Sequence, residues 1–139
     1  AGVDILQIVK PAQVLDFTEG CDLVVADVPC SGTGRWRRSP ETKWRLTAED
    51  LAELHQMQAD ILTEAALLVQ PGGRLVYITC SILASENGQQ IDRFLQETPG
   101  FEWSQIDLPF GQGGQMQLHP LNSDTDGLYC AVLQNVSTS

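Results

Sequence analysis

Two cysteines follow apolar segments at matching positions in the chain. Cys30 comes soon after residues 22–27 and Cys80 directly after residues 74–79, and both segments are apolar enough to form buried strands. If the two strands are parallel neighbours, their carboxyl ends open on one edge of the sheet, where open α/β sheets bind ligands. Because neighbouring strands lie about 4.8 Å apart, both thiols could face the same bound molecule. We therefore expect Cys80 and Cys30 to take part in covalent chemistry.

The cysteines are expected to be free thiols. The chain has four of them, with no Cys-x-x-Cys pair and no histidine at ligand spacing, which disfavours a zinc or other metal site. A disulfide framework is not expected in a reducing compartment. The alternative for Cys30 and Cys80 is that each is a small buried hydrophobic residue, as free cysteines usually are. We assign that structural role to Cys21 and Cys130 and favour chemistry for the matched pair.

Length and composition indicate a single domain over residues 1–139. The apolar content of 42% is ordinary for a globular chain. The sequence has no run of about 18 apolar residues that could span a membrane. It also shows no basic segment followed by an apolar stretch of the kind that directs secretion. We therefore expect a cytoplasmic protein without a membrane partner.

Charge is unevenly distributed along the chain. The formal net charge of -10 argues against an autonomous nucleic-acid binder, because phosphate contacts need clustered Lys and Arg. Half of the basic residues nevertheless lie close together, at positions 35, 37, 38 and 43. We expect Arg35, Arg38 and Lys43 to bind substrate phosphates, and the alternative is that they belong to a solvated loop.

Two amphipathic helices are predicted. The first begins after Thr47, a capping residue with an acidic residue three positions later. The Pro-Gly-Gly sequence at 71–73 is expected to end it and to turn the chain. Its inner stripe consists of Leu51, Leu54, Gln58, Ile61, Ala65 and Leu68. The second is expected to begin at a Ser85 cap and to end at the Pro-Gly pair at 99–100. Its inner face is formed by Ile91, Phe94 and Leu95.

The apolar segments predict an α/β fold. Strands are expected at residues 3–9, 22–27, 74–79, 101–106 and 128–133, with a loop over 109–125. The segment 22–27 contains an uninterrupted apolar run, which predicts a strand covered on both faces. Because a long helix separates it from 74–79, the two strands are expected to pair in parallel.

Several motifs that accompany these strands resemble those of the Sun family of RNA (cytosine-5) methyltransferases. The matching segments are Asp27-Val28-Pro29-Cys30-Ser31-Gly32-Thr33-Gly34, Arg37-Arg38-Ser39-Pro40-Glu41-Thr42-Lys43-Trp44, Pro71-Gly72-Gly73, Tyr77-Ile78-Thr79-Cys80-Ser81, Glu86-Asn87 and Asp126-Gly127-Leu128-Tyr129. The resemblance covers roughly residues 20–134 and implies a Rossmann-like fold that uses S-adenosylmethionine as methyl donor. It also implies that the substrate is RNA, either rRNA or tRNA, and that the product contains 5-methylcytosine.

The resemblance implies roles for four residues of the two cysteine motifs. In the family, the cysteine of the Thr-Cys motif attacks the base and that of the Pro-Cys motif helps to release the product, and these roles would pass to Cys80 and Cys30. Asp27 resembles the acid that lies between the cofactor and the target base, and Pro29 shapes the loop there. The reaction needs a thiolate because carbon 5 of cytosine is a poor nucleophile until a nucleophile adds to carbon 6.

Two cofactor-binding features of the family are not found in this sequence: the glycine-rich turn after the first strand and the acidic residue that ends the second. We therefore expect the C-terminal portion of a catalytic domain, a partial Rossmann-like fold that lacks the first two strands and most of the cofactor site. The isolated chain is expected to be inactive. The strand at 3–9 would leave an unpaired sheet edge, which is expected to pair with a second copy and give a homodimer.

Two other functions fit parts of the sequence. A catalytically silent interaction module could keep the methyltransferase-like fold without binding the cofactor. An amino-methyltransferase is a weaker alternative, because residues 27–30 lie where such enzymes carry a short Asn/Asp-Pro-Pro-aromatic loop. That reaction would not need Cys80.

Overall fold

A mixed β-sheet organises the part of the chain that the computed structural model describes, which is residues 20–35, 46–123 and 125–137. The strands are β1 (Cys21–Asp27), β2 (Val69–Thr79), β3 (Phe101–Trp103), β4 (Gly111–Gln112), β5 (Gln115–Leu118) and β6 (Leu128–Asn135). The α-helices are α1 (Ala48–Ala66), α2 (Gly88–Glu97) and α3 (Pro120–Ser123). Within the described residues the strand order is β1-β2-β6-β5-β4, and β3 also pairs with β6. The predicted α/β class is confirmed.

The parallel pair predicted from the sequence is formed by β1 and β2. Ala26 pairs with Tyr77 and Asp27 with Ile78, so the two strands end at the same edge of the sheet. The connection between them contains α1, as a parallel crossover requires. On its other side β2 pairs antiparallel with β6, where Tyr77 lies opposite Ala131.

Helix α1 begins where the sequence predicts. The Thr47 hydroxyl accepts a hydrogen bond from the Asp50 amide at 3.0 Å, and the Asp50 carboxylate accepts one from the Thr47 amide at 3.2 Å. This reciprocal capping box satisfies two amides that the first helical turn leaves free. The helix buries Gln58, Leu62 and Ala65 against the sheet.

The Pro-Gly-Gly sequence at 71–73 does not end α1. The helix ends at Ala66, and β2 already begins at Val69. The three residues lie inside β2, where the register with β1 shifts between the pairs Cys21–Val69 and Leu23–Arg74. An irregularity of this kind inserts extra residues into one strand and bends it. The prediction of a turn was therefore wrong.

Helix α2 begins later than predicted. Ser85 lies in a short 3₁₀ turn at Ala84–Glu86, and the residue that precedes α2 is Asn87. The Ser85 hydroxyl is within hydrogen-bond distance of the His55 ring, 3.0 Å from Nε2, so it caps no helix. The predicted inner face is confirmed for Ile91 and Phe94, which are buried.

The core lies between the helices and one face of the sheet. Its buried members are Ala26, Val28, Leu62, Ala65, Val69, Leu75, Tyr77, Ile91, Phe94, Phe101, Tyr129, Ala131 and Leu133. On the opposite face of β1, Leu23 and Val25 are 57% and 56% exposed. Among the described residues, α1 packs on the face that carries Val24 and Ala26, so they show the predicted cover on one face only.

The C-terminal third contains more regular secondary structure than the sequence predicts. The segment 109–125, predicted to be a loop, contains β4, β5 and α3. The predicted strand at 101–106 ends at Trp103, and the predicted strand at 128–133 extends to Asn135. The predicted strand at 3–9 lies outside the described residues.

Candidate active site

The two cysteine loops run side by side where β1 and β2 end. The Val28 amide donates a hydrogen bond to the Ile78 carbonyl at 3.1 Å, which continues the strand pairing. Further along, the Gly34 amide donates to the carbonyl of Cys80 at 3.0 Å. Both Cys30 and Cys80 are half-buried free cysteines. The structure therefore brings Cys80, the predicted nucleophile, and Cys30, predicted to assist release, to one edge of the sheet.

The surroundings of Cys30 disfavour its thiolate. Burial raises the pKa of the Cys30 thiol, and the charges of the Glu86 carboxylate and of Cys80 raise it further. Backbone hydrogen bonds of Gly32 and Cys80 lower the pKa but do not cancel the effect of burial. Cys30 therefore keeps its proton near neutral pH.

A buried carboxylate joins the two loops. Glu86 Oε1 accepts hydrogen bonds from the Ser31 amide at 2.7 Å and from Gln58 Nε2 at 3.1 Å. Glu86 Oε2 accepts from the Ser31 hydroxyl at 2.7 Å and from the Ser81 hydroxyl. Ser31 follows Cys30 and Ser81 follows Cys80, so one side chain holds the residue after each cysteine.

Other polar side chains extend this contact between the loops. The hydroxyls of Thr33 and Ser81 lie 3.1 Å apart, and Thr33 Oγ1 accepts a hydrogen bond from the Ile82 amide at 3.0 Å. Asn87 accepts from the Thr79 hydroxyl at 2.6 Å and donates to the Ser81 carbonyl at 2.9 Å. Hydrogen bonds within the protein thus hold Thr79 and Ser81, the residues on either side of Cys80.

Two glycines allow the segment just before β6 to pack closely against the site. The Gly127 amide, just before β6, donates a hydrogen bond to the Gly34 carbonyl at 2.7 Å. A Cβ atom on Gly127 would lie 2.6 Å from the Gly34 Cα atom and 2.5 Å from a methyl group of Ile82. This close approach requires that both positions lack a side chain.

Comparisons with known proteins identify the family. The family model described as 16S rRNA methyltransferase RsmB/F matches residues 4–134. The chain belongs to this family. Ribosomal RNA small subunit methyltransferase B from Salmonella arizonae is 44% identical over 123 residues, which are 88% of this chain and 28% of that protein. The protein of the same name from Salmonella newport is 46% identical over 112 residues, 81% of this chain and 26% of that protein.

Solved structures share the fold of this chain. The crystal structure of PH0851 aligns with a TM-score of 0.73 and 39% identity, over 82% of this chain and 26% of that chain. NSun6 from Pyrococcus horikoshii, solved with SFG, aligns with a TM-score of 0.78 over 97% of this chain and 35% of that chain, and its 20% identity shows the fold alone. The resemblance to the Sun family is confirmed. This RsmB/F chain spans 28% of the length of the Salmonella arizonae protein and 26% of the length of the Salmonella newport protein.

The other predicted site residues of this RsmB/F family member are less enclosed. Asp27 and Pro29 are exposed at the end of β1, beside Cys30, and Arg35 is exposed at the end of the first cysteine loop. Arg38 and Lys43 lie outside the described residues.

A cavity of about 290 Å³ lies behind the second loop, lined by His55, Ser85, Gln89, Gln90 and Arg93. Neither cysteine lines that cavity.

The sequence placed Gln58 on the inner stripe of the first helix and Glu86 in a family motif but indicated no role at the site for either, although both are completely buried. A buried Glu is rare unless it is paired or hydrogen-bonded, so burial would have singled it out, but burial is not visible in the sequence. The sequence feature that could have indicated a shared hydrogen-bond partner is the serine that follows each cysteine. Over the described residues, no group of three or more His, Cys, Asp or Glu side chains could hold a metal ion. No helix in the same residues is long and apolar enough to cross a membrane.

Proposed function

We propose that the protein containing this chain methylates carbon 5 of a cytosine in RNA, with rRNA favoured over tRNA. Membership of the RsmB/F family and the names of the Salmonella relatives support this reaction and this substrate. The observation on which the proposal rests is the joining of the two cysteine loops through the Gly34–Cys80 hydrogen bond and the shared Glu86 carboxylate. A covalent mechanism with two cysteines needs both thiols at one base.

In the proposed mechanism Cys80 is the nucleophile. Its thiolate forms a bond to carbon 6 of the cytosine, and the electron pair of the 5,6 double bond moves to carbon 5. Carbon 5 then forms a bond to the methyl group of a sulfonium donor, whose carbon–sulfur bond would break to leave a neutral thioether. A base then removes the proton of carbon 5. The electrons of that carbon–hydrogen bond restore the double bond, and the carbon–sulfur bond breaks to return the Cys80 thiolate.

Cys30 assists the last step in this proposal. Burial raises the pKa of Cys30, so its thiol keeps a hydrogen at neutral pH. A neighbouring S–H group can donate a hydrogen bond to the sulfur of Cys80 as negative charge returns to it. During release, Cys80 therefore leaves as a thiolate while Cys30 remains a thiol.

S-adenosylmethionine supplies the methyl group in this proposal, as the related NSun6 structure with its analogue SFG suggests. Asp27 and Pro29 are the residues of this chain proposed to face it, because their exposed side chains lie at the end of β1 next to Cys30. A carboxylate is suited to a positively charged ligand group. Arg35, Arg38 and Lys43 are proposed to contact RNA phosphates.

We propose that the chain alone does not complete the reaction, since it spans 28% of the Salmonella relative. The proposed location is the cytoplasm, where ribosomal RNA and reduced thiols are both found. A homodimer through the edge of the sheet also remains a proposal. The apolar side chains of Leu23 and Val25 on β1 support an additional contact there, and light scattering of this chain measures its mass directly. A monomer at all concentrations would exclude the dimer.

Trapping with RNA that contains 5-fluorocytosine tests the mechanism. Fluorine at carbon 5 cannot leave as a proton does, so the adduct with the Cys80 sulfur should persist on a denaturing gel. The Cys80→Ser variant of the intact protein should form no adduct, whereas Cys30→Ala, which removes the donor, should accumulate adduct even with ordinary RNA. Cys21→Ser and Cys130→Ser are matched controls that should behave as the wild type. Adduct formation by Cys80→Ser would refute the assignment.

The second candidate function is a silent interaction module, which the exposed Leu23 and Val25 favour. Calorimetry of the intact protein with S-adenosylmethionine distinguishes the two functions. Saturable binding supports the enzyme. No binding heat at high protein concentration, together with no adduct on 5-fluorocytosine RNA, supports the silent module.

A further inference from the structure

Glu86 is an unusual residue in the described part of the chain because its carboxylate is completely buried yet fully hydrogen-bonded. Burying a carboxylate is costly unless hydrogen bonds replace the lost water. Its two oxygens accept hydrogen bonds from the Ser31 amide, the Ser31 and Ser81 hydroxyls and the Gln58 side chain. None of the mechanistic steps proposed above uses this group.

The hydroxyl hydrogens are directed towards Glu86. Ser31 Oγ accepts from the Thr33 amide at 3.3 Å, so its single hydrogen is available for Glu86. Ser81 Oγ accepts from the Leu83 amide at 3.0 Å and lies 3.1 Å from the Thr33 hydroxyl. Because both serine oxygens already accept hydrogen bonds from amides, their hydrogens point to the carboxylate. Glu86 therefore accepts all four of these hydrogen bonds.

Helix α1 provides a fixed support for this carboxylate. Gln58 Nε2 donates to Glu86 and also to the carbonyl of Pro29 at 2.9 Å, directly before Cys30. The other end of the Gln58 amide accepts from Gln90 Nε2 at 3.2 Å. The Tyr77 hydroxyl donates to the backbone carbonyl of Glu86 at 2.6 Å. Elements on three sides thus hold Glu86 in place.

We propose that Glu86 is a positioning residue that sets the separation of Cys30 and Cys80 by holding Ser31 and Ser81 on one carboxylate. The role rests on the proposed function, in which both sulfurs act on one cytosine. Reacting atoms must lie about 3–3.5 Å apart, and a misplacement of about 1 Å can cost about 100-fold in rate. Glu86 needs no contact with the substrate to have an effect of this size.

The test compares Glu86→Gln with Glu97→Gln in the intact protein. The first change keeps the size of the side chain but replaces an acceptor oxygen with a donor amide among four donors. The second makes the same chemical change on an exposed part of α2, where the side chain contacts Arg93. We expect Glu86→Gln to lower the single-turnover rate of adduct formation on 5-fluorocytosine RNA about 100-fold. Glu97→Gln should stay within about twofold of the wild type, as surface substitutions usually do.

A second measurement reports on Glu86 without any reaction on RNA. Alkylation by iodoacetamide, followed by mass spectrometry, gives the pH midpoint at which each thiol becomes reactive. The groups whose charges act on Cys30 are Glu86 and Cys80, and removing the charge of Glu86 should lower the Cys30 midpoint. This midpoint reports the charge of Glu86 at Cys30, and the adduct rates decide the positioning role.

Single and double serine variants keep the proposal testable if Glu86→Gln does not fold. Ser31→Ala and Ser81→Ala each remove one donor to the same carboxylate oxygen. Their effects on the adduct rate should be non-additive, because both act through Glu86. Additive effects, or a Glu86→Gln rate within about twofold of the wild type, would overturn the proposal.

The outcomes separate this inference from the proposed function. If the wild type forms no adduct, the function fails, and the alkylation midpoints still decide whether Glu86 acts on Cys30. If the wild type forms the adduct and Glu86→Gln forms it equally fast, the function stands and the positioning role fails.

Discussion

Replacing Gly127 with alanine tests how tightly the segment just before β6 is packed against the two cysteine loops. The new Cβ atom would lie 2.5 Å from a methyl group of Ile82 and 2.6 Å from the Cα atom of Gly34. Ordinary contacts of a Cβ atom begin near 3.4 Å, so the neighbours must move by about 1 Å. Ile82 lies two residues after Cys80, and Gly34 belongs to the loop of Cys30. The substitution therefore strains both loops at once.

The expected cost follows from overpacking a buried site. Such substitutions typically destabilise by about 1–3 kcal/mol, and the smaller conformational freedom of the unfolded alanine chain returns about 0.4–1 kcal/mol. We expect Gly127→Ala to lower the free energy of unfolding by about 1–2 kcal/mol. The same displacement of about 1 Å should slow adduct formation on 5-fluorocytosine RNA by up to about 100-fold.

Urea unfolding followed by circular dichroism measures the first effect, and single-turnover trapping measures the second. Gly88→Ala is the matched control, because a Cβ at the first residue of α2 meets nothing within 4 Å. This control should stabilise the protein by about 0.4–1 kcal/mol. The reasoning is refuted if Gly127→Ala unfolds at the wild-type urea concentration, or if Gly88→Ala is as destabilising.

Three further predictions concern the rest of the fold. Leu62→Ala should cost about 2–5 kcal/mol in urea unfolding because Leu62 is completely buried, whereas Leu67→Ala, at a position 75% exposed, should change it little. Thr47→Ala should cost about 1 kcal/mol through loss of the capping box, and Thr47→Ser should retain most of that stability. Burial raises the pKa values of Tyr77 and Tyr129, the chain's two tyrosines, far above the ordinary value near 10, so their 295 nm absorbance should rise only when the protein unfolds. Because the unfolded tyrosines ionise first, unfolding stability should fall as the pH rises above about 10, and ionisation near pH 10 before any loss of circular dichroism would contradict this.

The parts of the fold that the sequence predicts well are those set by local patterns. The Thr47 capping box and the apolar stripe of α1 lie within a few residues of one another, so periodicity and capping rules apply directly. The apolar runs before Cys30 and Cys80 likewise predict β1 and β2. The motifs around these cysteines identified the family and the edge of the sheet where their loops meet.

The parts that were missed depend on distant partners. Strand β4 has only a Gly and a Gln, and β5, although it alternates Gln with Met and Leu, has four residues and no β-branched or aromatic side chain. Strand β5 forms by pairing with β6. Ser85 has the side chain of a helix cap but bonds His55, 30 residues away. The Ser31 donors to Glu86 lie 55 residues away from it along the chain. No local pattern encodes contacts of that range.

The position of β6 has a consequence for how this protein is made. Its first residues pair with the last residues of β2, since Tyr129 lies opposite Thr79, and the Gly127 amide binds the first cysteine loop. A ribosome adding about 5–20 residues per second needs roughly 2.5–10 s to go from Cys80 to Tyr129. Throughout that interval the nascent chain carries both thiols in loops whose last support has not been translated. Newly made molecules are therefore more open to thiol-modifying reagents than finished ones.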